Sequence, residues 1–273
     1  MNKELQTILL RAREDVYTLL QGGNFSHLLG QGYDFSELRA YESSDDIRHI
    51  SWINSAKLGE PYVKKMHEER ELSVVVSLLV NGRMVIGEKQ KTMSHILALL
   101  GYSALMSNNL FQATFFVGSK MRKFEPSKNS ESVEKCLSEF MALRPLGLDV
   151  NRSSIVSREL MSIEQKSMLF IVGDFLELVD FSVLAQKHEI FVIVVRDRWE
   201  ENPTCSADTQ LFNPLNNRAI NQTLSKKALV YYVQKLQEHD EKLNEHFHAH
   251  NIKYVKIYEI SETLEKLEQL FYQ

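Results

Sequence analysis

The chain has 273 residues, 44% of them hydrophobic and 25% charged, the balance of an ordinary globular protein with a sizeable core. Its formal net charge of −4 argues against nucleic acid or an anionic membrane surface as the main partner. Two cysteines without metal-ligand spacing, Cys136 and Cys205, suggest neither a disulfide framework nor a zinc site.

In chain order, Leu5, Ile8, Leu9, Val16, Leu19 and Leu20 recur at helical spacing, which predicts an amphipathic helix over 3–20 closed by Gly22 and Gly23. Residues 24–72 have another texture: polar, studded with aromatics, with strand-like pieces at 38–41, 50–53 and 62–65. From Ser73 the pattern becomes regular. Strands are predicted at 73–80, 112–117, 167–174 and 190–195, alternating with helices at 92–107, 130–143 and 181–188. Residues 197–223 break the rhythm; Pro214 and Asn216-Asn217 between 210–212 and 219–221 suggest a β-hairpin. A long charged helix over 225–250, a strand at 252–258 and a helix from 262 complete the chain. Such alternation calls for right-handed crossovers and a mostly parallel sheet covered by helices on both faces. The expected division is an N-terminal helix and irregular segment, 1–72, followed by an α/β domain, 73–273. No run reaches the ~20 apolar residues that span a bilayer, and the charged opening MNKELQTILLRARED lacks a signal peptide's apolar core. The expected compartment is the cytoplasm.

The segment from Gly30 to Glu71 carries the densest pattern. Gly30, Gly32, Asp34, Phe35, Leu38, Arg39, Tyr41, Asp45, Asp46, Arg48, Ile50, Trp52 and Ala56 are followed by Glu68, Glu69, Arg70 and Glu71 just before an apolar strand. In register and spacing this resembles the signature of the bacterial domain of unknown function 58 family. Ser44 stands where that family usually has Gly, Ser51 where it has Asp, and Lys57 where it has Arg. The residues have their own reading: arginine–carboxylate pairing among Arg39, Asp45, Asp46 and Arg48 can fix an irregular backbone, and Trp52 can anchor the segment on the sheet. Alternatively, Arg39, Arg48 and Trp52 face a partner protein, since exposed Arg and Trp are typical interface anchors. Asp45 and Asp46 are poor candidates for a catalytic pair, because neighbours on a strand point to opposite faces.

What the resemblance implies is a von Willebrand factor A-like, Rossmann-like α/β domain, and a non-enzymatic adaptor working with a client protein and a MoxR-type AAA+ ATPase. Many family members carry two membrane helices upstream of the signature; this sequence shows none, so no membrane span is expected. Domains of the von Willebrand type often hold a divalent ion at D-x-S-x-S after the first strand, with a Thr and a second Asp from later loops. Laid on this chain, Leu79 falls on the Asp, Asn81 and Arg83 on the two Ser, a residue near Leu148 on the Thr, and Asp174 on the strand-end Asp. Magnesium needs about six hard oxygen ligands, so the expected site is degenerate, with no metal or cofactor and with Arg83 neutralising Asp174 across the strand ends. Asn81, Arg83 and Asp174 are the expected partner-binding residues there. Competing expectations are a divalent-metal-dependent hydrolase built on Asp174 and a structural oligomerisation module.

Other candidates weigh less. In HFHAH only His246 and His250 share a helical face, and no acid lies between them as in a metalloprotease helix. Gly30 and Gly32 lack the third glycine and preceding strand of a nucleotide loop. No nucleophile elbow or Walker loop occurs, and Cys136 falls in an apolar helical pattern.

Overall fold

The computed structural model describes residues 3–21, 35–42, 45, 47, 50–66, 73–151, 153–204, 211–220 and 225–271. Its centre is a six-stranded sheet. The strands are β3 (Ser73–Val80), β4 (Leu110–Val117), β5 (Lys120–Lys123), β6 (Ser167–Gly173), β7 (Glu189–Val195) and β10 (Lys253–Ile257), in the spatial order β10-β7-β6-β3-β4-β5. All neighbours run parallel except the edge hairpin of β4 with β5. The chain leaves β3 toward β4 and later returns on β3's other side as β6. The crevice between β3 and β6, at their C-terminal ends, is therefore the point where strand order reverses, the usual ligand position of an open α/β sheet.

The parity of β3 shows why the sheet needs two helical layers. Val74, Val76, Leu78 and Val80 enter one core cluster while Val75 and Leu79 enter the other, since alternate side chains leave a strand on opposite faces. The first face is covered by α1 (Lys3–Gln21), α3 (Lys89–Met106), α4 (Ser130–Met141) and α9 (Thr263–Phe271); the second by α5 (Ser153–Met161), α6 (Ser182–Lys187) and α8 (Lys226–Ala249). Helix α3 is buried at every residue from Thr92 to Ala104, because α1 and α4 pack over it and leave it no polar face.

Four sequence expectations need correction. The line at residue 72 follows texture rather than packing, since Leu5, Ile8, Leu9, Ala12 and Val16 of α1 lie in the same core as β3. His95 of α3, itself buried, meets Asp15 of α1 at 2.9 Å. The piece at 50–53 is not a strand: Ile50 bridges Val63, and Trp52–Leu58 forms the short helix α2 between β1 (Phe35–Ala40) and β2 (Tyr62–Met66), an antiparallel pair. Trp52 does not anchor the segment on the sheet; it is 71% exposed. Finally, α5 and β5 were not among the predicted elements. The four exposed residues of β5, KMRK, carry no apolar alternation, and their charges suit an unpaired edge.

The hairpin foreseen after Asp197 is present as β8 (Leu211–Asn213) and β9 (Arg218–Ile220), joined by a turn at 214–217. It follows α7, the single turn Arg198–Glu201. Gly30, Gly32, Asp34, Asp46, Arg48 and Glu68 to Glu71 lie outside the described residues.

If α1 belongs to the core, Leu9→Ala costs about 2–4 kcal/mol in urea unfolding, while Trp52→Ala changes stability by less than about 0.5 kcal/mol. A negligible cost for Leu9→Ala would show instead that α1 is an appendage.

Candidate functional site

Residues from three strand ends meet at the reversal point. Strand β3 runs into Asn81 and the 3-10 turn Gly82–Val85, whose first turn is held by the Asn81 Oδ1 accepting from the Arg83 backbone N–H at 2.9 Å. Gly82 must be a glycine: a Cβ there would lie 2.0 Å from the Pro214 carbonyl oxygen, so the β8–β9 turn sits directly on the site. Leu79 occupies the place of the expected metal-ligating aspartate, but it is buried against Gly173, the residue before Asp174.

Asp174 is 4% exposed. Its Oδ2 accepts from the Arg83 Nε at 2.8 Å, and the Asn81 amide nitrogen lies 3.4 and 3.3 Å from its two carboxylate oxygens. The Leu176 backbone N–H also points to it, at 3.4 Å. Burial pushes the carboxyl group's pKa up, but the Arg83 guanidinium, aided by Lys89 and Asn81, outweighs it and holds Asp174 below the ordinary carboxylate value. The same contact keeps Arg83 charged despite its own burial. The opposite end of the guanidinium reaches Glu177, whose side chain is half exposed, with Nη1–Oε1 at 3.2 Å. Asn81, on the first Ser of the adhesion pattern, turns its side-chain NH2 rather than an oxygen toward the carboxylate.

A second arginine supports this corner. Arg196, the first residue after β7, is fully buried; its Nε donates to the Asp174 carbonyl and its Nη2 to the Phe175 carbonyl at 3.2 Å. Phe175 is held at φ +46°, a conformation rare for a side chain of that size, and His239 of α8 contacts the same carbonyl at 2.8 Å. Arg196 also pairs with Asp240 of α8 at 3.0 Å, and Lys256 of β10 bridges Asp240 and Glu201 at 2.8 and 2.6 Å. Beside them Lys89 and Glu200 form a buried pair at 2.7 Å. Tyr232 donates to the Glu200 carbonyl at 2.8 Å, and Tyr258, bonded to Glu201, has its hydroxyl pKa pushed up by burial.

Sequence reasoning found Asn81, Arg83 and Asp174, and the structure brings them together. It missed Glu177, Arg196, Asp240 and Lys256. The available signal was positional: Asn81, Asp174 and Arg196 are each the first non-glycine polar residue after an apolar parallel strand. The signature residues lie elsewhere. Arg39 pairs with Asp45 at 2.6 Å and Glu42 at 3.4 Å, an arginine–carboxylate lock on the loop after β1, and it does not join the strand-end site. His246 accepts from the Phe181 backbone N–H at 3.1 Å through Nε2, a structural role.

The donor set does not fit a divalent ion. A cation approaching Asp174 would meet the Arg83 guanidinium, which already holds the carboxylate, and two of the pattern's oxygen positions are occupied by Leu79 and Arg83. Beside this ion pair the site offers a groove with apolar surface. A groove of about 490 Å³ beside Arg83 is lined by Ile86, Leu176, Leu215, Tyr232 and Leu236. Trp199, Phe212, Val230 and Tyr231 stand 44%, 47%, 69% and 59% exposed on the neighbouring elements.

Residues 37–241 match the family described as Protein of unknown function DUF58. The chain belongs to that family. Its curated relatives include an uncharacterized protein of Mycobacterium bovis and one of Mycobacterium tuberculosis, each 22% identical over 204 residues, 71% of this chain and 64% of the relative. The chain thus spans less than two thirds of the length of those relatives. Among solved structures, a conserved hypothetical protein BatB from Bacteroides thetaiotaomicron is similar at TM-score 0.40 and 11% identity, covering 74% of this chain and 97% of that one. An aerotolerance-related membrane protein from Bacteroides fragilis is similar at TM-score 0.43 and 8% identity, covering 74% and 98%. Among the described residues of this family member no helix is long and apolar enough to cross a membrane.

Replacing Asp174 with Asn would leave Arg83 facing a neutral partner in a nearly closed site, at an expected cost of about 3 kcal/mol at neutral pH. Since the folded pKa lies below the ordinary 3.8, the carboxylate's contribution is fully present above that pH and disappears as pH falls further through the folded value. Unfolding curves of wild type and Asp174→Asn should therefore converge in acid; a gap that stays constant below that range would contradict the assignment.

Proposed function

We propose that this DUF58 protein is a non-enzymatic adaptor with a von Willebrand factor A-like domain, acting in the cytoplasm beside a MoxR-type AAA+ ATPase and a client protein. The observation that carries the reading is the Arg83–Asp174 pair at the strand-order reversal, set beside an open apolar groove. In this reading a guanidinium takes the role that a divalent ion has in metal-dependent adhesion sites, as a fixed positive group at the strand ends. The exposed apolar residues around it supply contact area, since exposed aromatics clustered near a charged anchor are typical of protein interfaces. The ATPase and the client follow from the family resemblance, and the ATPase would supply the energy for work on the client.

The same contact counts against the metal-assisted hydrolase, because the carboxylate that would hold the ion is engaged by Arg83. Oligomerisation through the groove is an outcome that the partner experiment distinguishes.

Affinity capture from the native cell, read by mass spectrometry, tests the proposal. A MoxR-type ATPase should be recovered equally with and without chelator, with recovery falling as salt rises from about 0.1 M to about 0.5 M. Loss of the ATPase on adding chelator, or recovery of this chain alone, would overturn it.

A further inference from the structure

Arg83, at the edge of the groove, carries an internal place-holder in Glu177. A guanidinium offers its end-on nitrogens, Nη1 and Nη2, as a fork that matches one carboxylate by two parallel hydrogen bonds. Arg83 spends Nε on Asp174 and Nη1 on Glu177, yet Nη2 is buried with no hydrogen-bond partner among the described residues. The fork is therefore half used. The group that half-uses it is the weakest member of the site: Glu177 lies 3.2 Å away on a side chain 52% exposed, whereas the side chain of Asp174 is 5% exposed and held on both oxygens. Exposed pairs of this kind contribute little, so Glu177 can leave without disturbing the buried pair beneath it.

The surroundings define what can replace it. An additional anion would face Asp174 and Glu177 together, but an exchange for Glu177 leaves the charge of the site unchanged. The groove that opens at Arg83 is much larger than a carboxylate; Ile86, Leu176, Leu215, Tyr232 and Leu236 form the apolar part of its walls, and Asn213, Lys235 and His239 add polar groups. Within it Lys235 is half exposed and has Glu238 at 2.6 Å, and Glu200 is tied to Lys89, whereas the unused donor of Arg83 is buried.

We propose that the groove binds an extended segment of a partner protein through an acidic side chain flanked by aliphatic residues. The incoming carboxylate displaces Glu177 and takes Arg83 end-on through Nη1 and Nη2. Glu177 is then a built-in competitor that occupies the Arg83 fork when no partner is present. This rests on the protein-binding reading above and names the chemistry of its partner.

The test titrates three peptides at millimolar concentration into the isotope-labelled full chain: acetyl-Leu-Glu-Leu-amide, acetyl-Leu-Gln-Leu-amide, and acetyl-Leu-Leu with a free terminal carboxylate. The Glu peptide should move the backbone amides of Arg83, Leu176 and Leu215, and the Gln peptide should bind about tenfold more weakly. Glu177→Gln, at an exposed position that does not endanger folding, should tighten the Glu peptide about threefold and leave the Gln peptide unchanged. Arg83→Gln, where it folds, should erase the difference between the two. Equal binding of the Glu and Gln peptides, no response to either, or a Glu177→Gln variant that binds the Glu peptide no better overturns the exchange. Tighter binding of the terminal carboxylate overturns the side-chain source. Failure here together with intact capture of the ATPase would remove the exchange and leave the adaptor reading standing; the expected peptide behaviour without ATPase capture would do the reverse.

Discussion

A carboxylate that is almost sealed from water stays ionised only if fixed donors replace its hydration. Asp174 is that group, and the corner of the fold around it is arranged to supply those donors. Arg83 can reach it because the chain turns sharply after β3, and the turn closes only because Gly82 lets the Pro214 carbonyl approach. Arg196 holds the Asp174 and Phe175 carbonyls from β7, and through Asp240 and Lys256 the same charges fasten α8 and β10. Removing one member strands a buried charge of the other sign, which is costlier than never having placed the pair.

Much of this was legible in the sequence, for identifiable reasons. Strands such as SVVVSLLV and SMLFIVG are continuous apolar runs because both their faces are covered, and that texture survives without any structure. Asp174 and Arg83 were placed near each other by the adhesion-site pattern that the family resemblance implies, and they do meet, because they follow the adjacent parallel strands β6 and β3. The strand proposed at 50–53 failed because α2 has no buried residue, so no amphipathic pattern marks it as a helix. Helix α1 was set apart from the α/β unit because sequence distance hides its packing on α3, which crosses some eighty residues between Asp15 and His95. Glu177, Asp240 and Lys256 were invisible: each is an ordinary charged residue in a loop, on a polar helix or on an edge strand, and only tertiary placement gives it a partner.

The position of the site matters for its chemistry. At a reversal of strand order the adjoining connections diverge to opposite faces and leave a crevice that helices do not cover. In this protein the crevice floor is an ion pair, and its walls come from the β8–β9 hairpin, α7 and the first half of α8. A floor of fixed charge under apolar walls suits recognition of a chain segment. Its selectivity would come from replacing one weak internal contact by a better external one, a difference of affinities rather than a strong absolute attraction.

The most direct measurement is a double-mutant cycle on Arg83 and Asp174, with unfolding free energies of wild type, Arg83→Gln, Asp174→Asn and the double variant at neutral pH. A coupling of about 2–3 kcal/mol, with the double variant less damaged than the sum of the singles, is the result this account predicts. A coupling below about 0.5 kcal/mol would contradict it, since the two residues would then be neighbours without being partners.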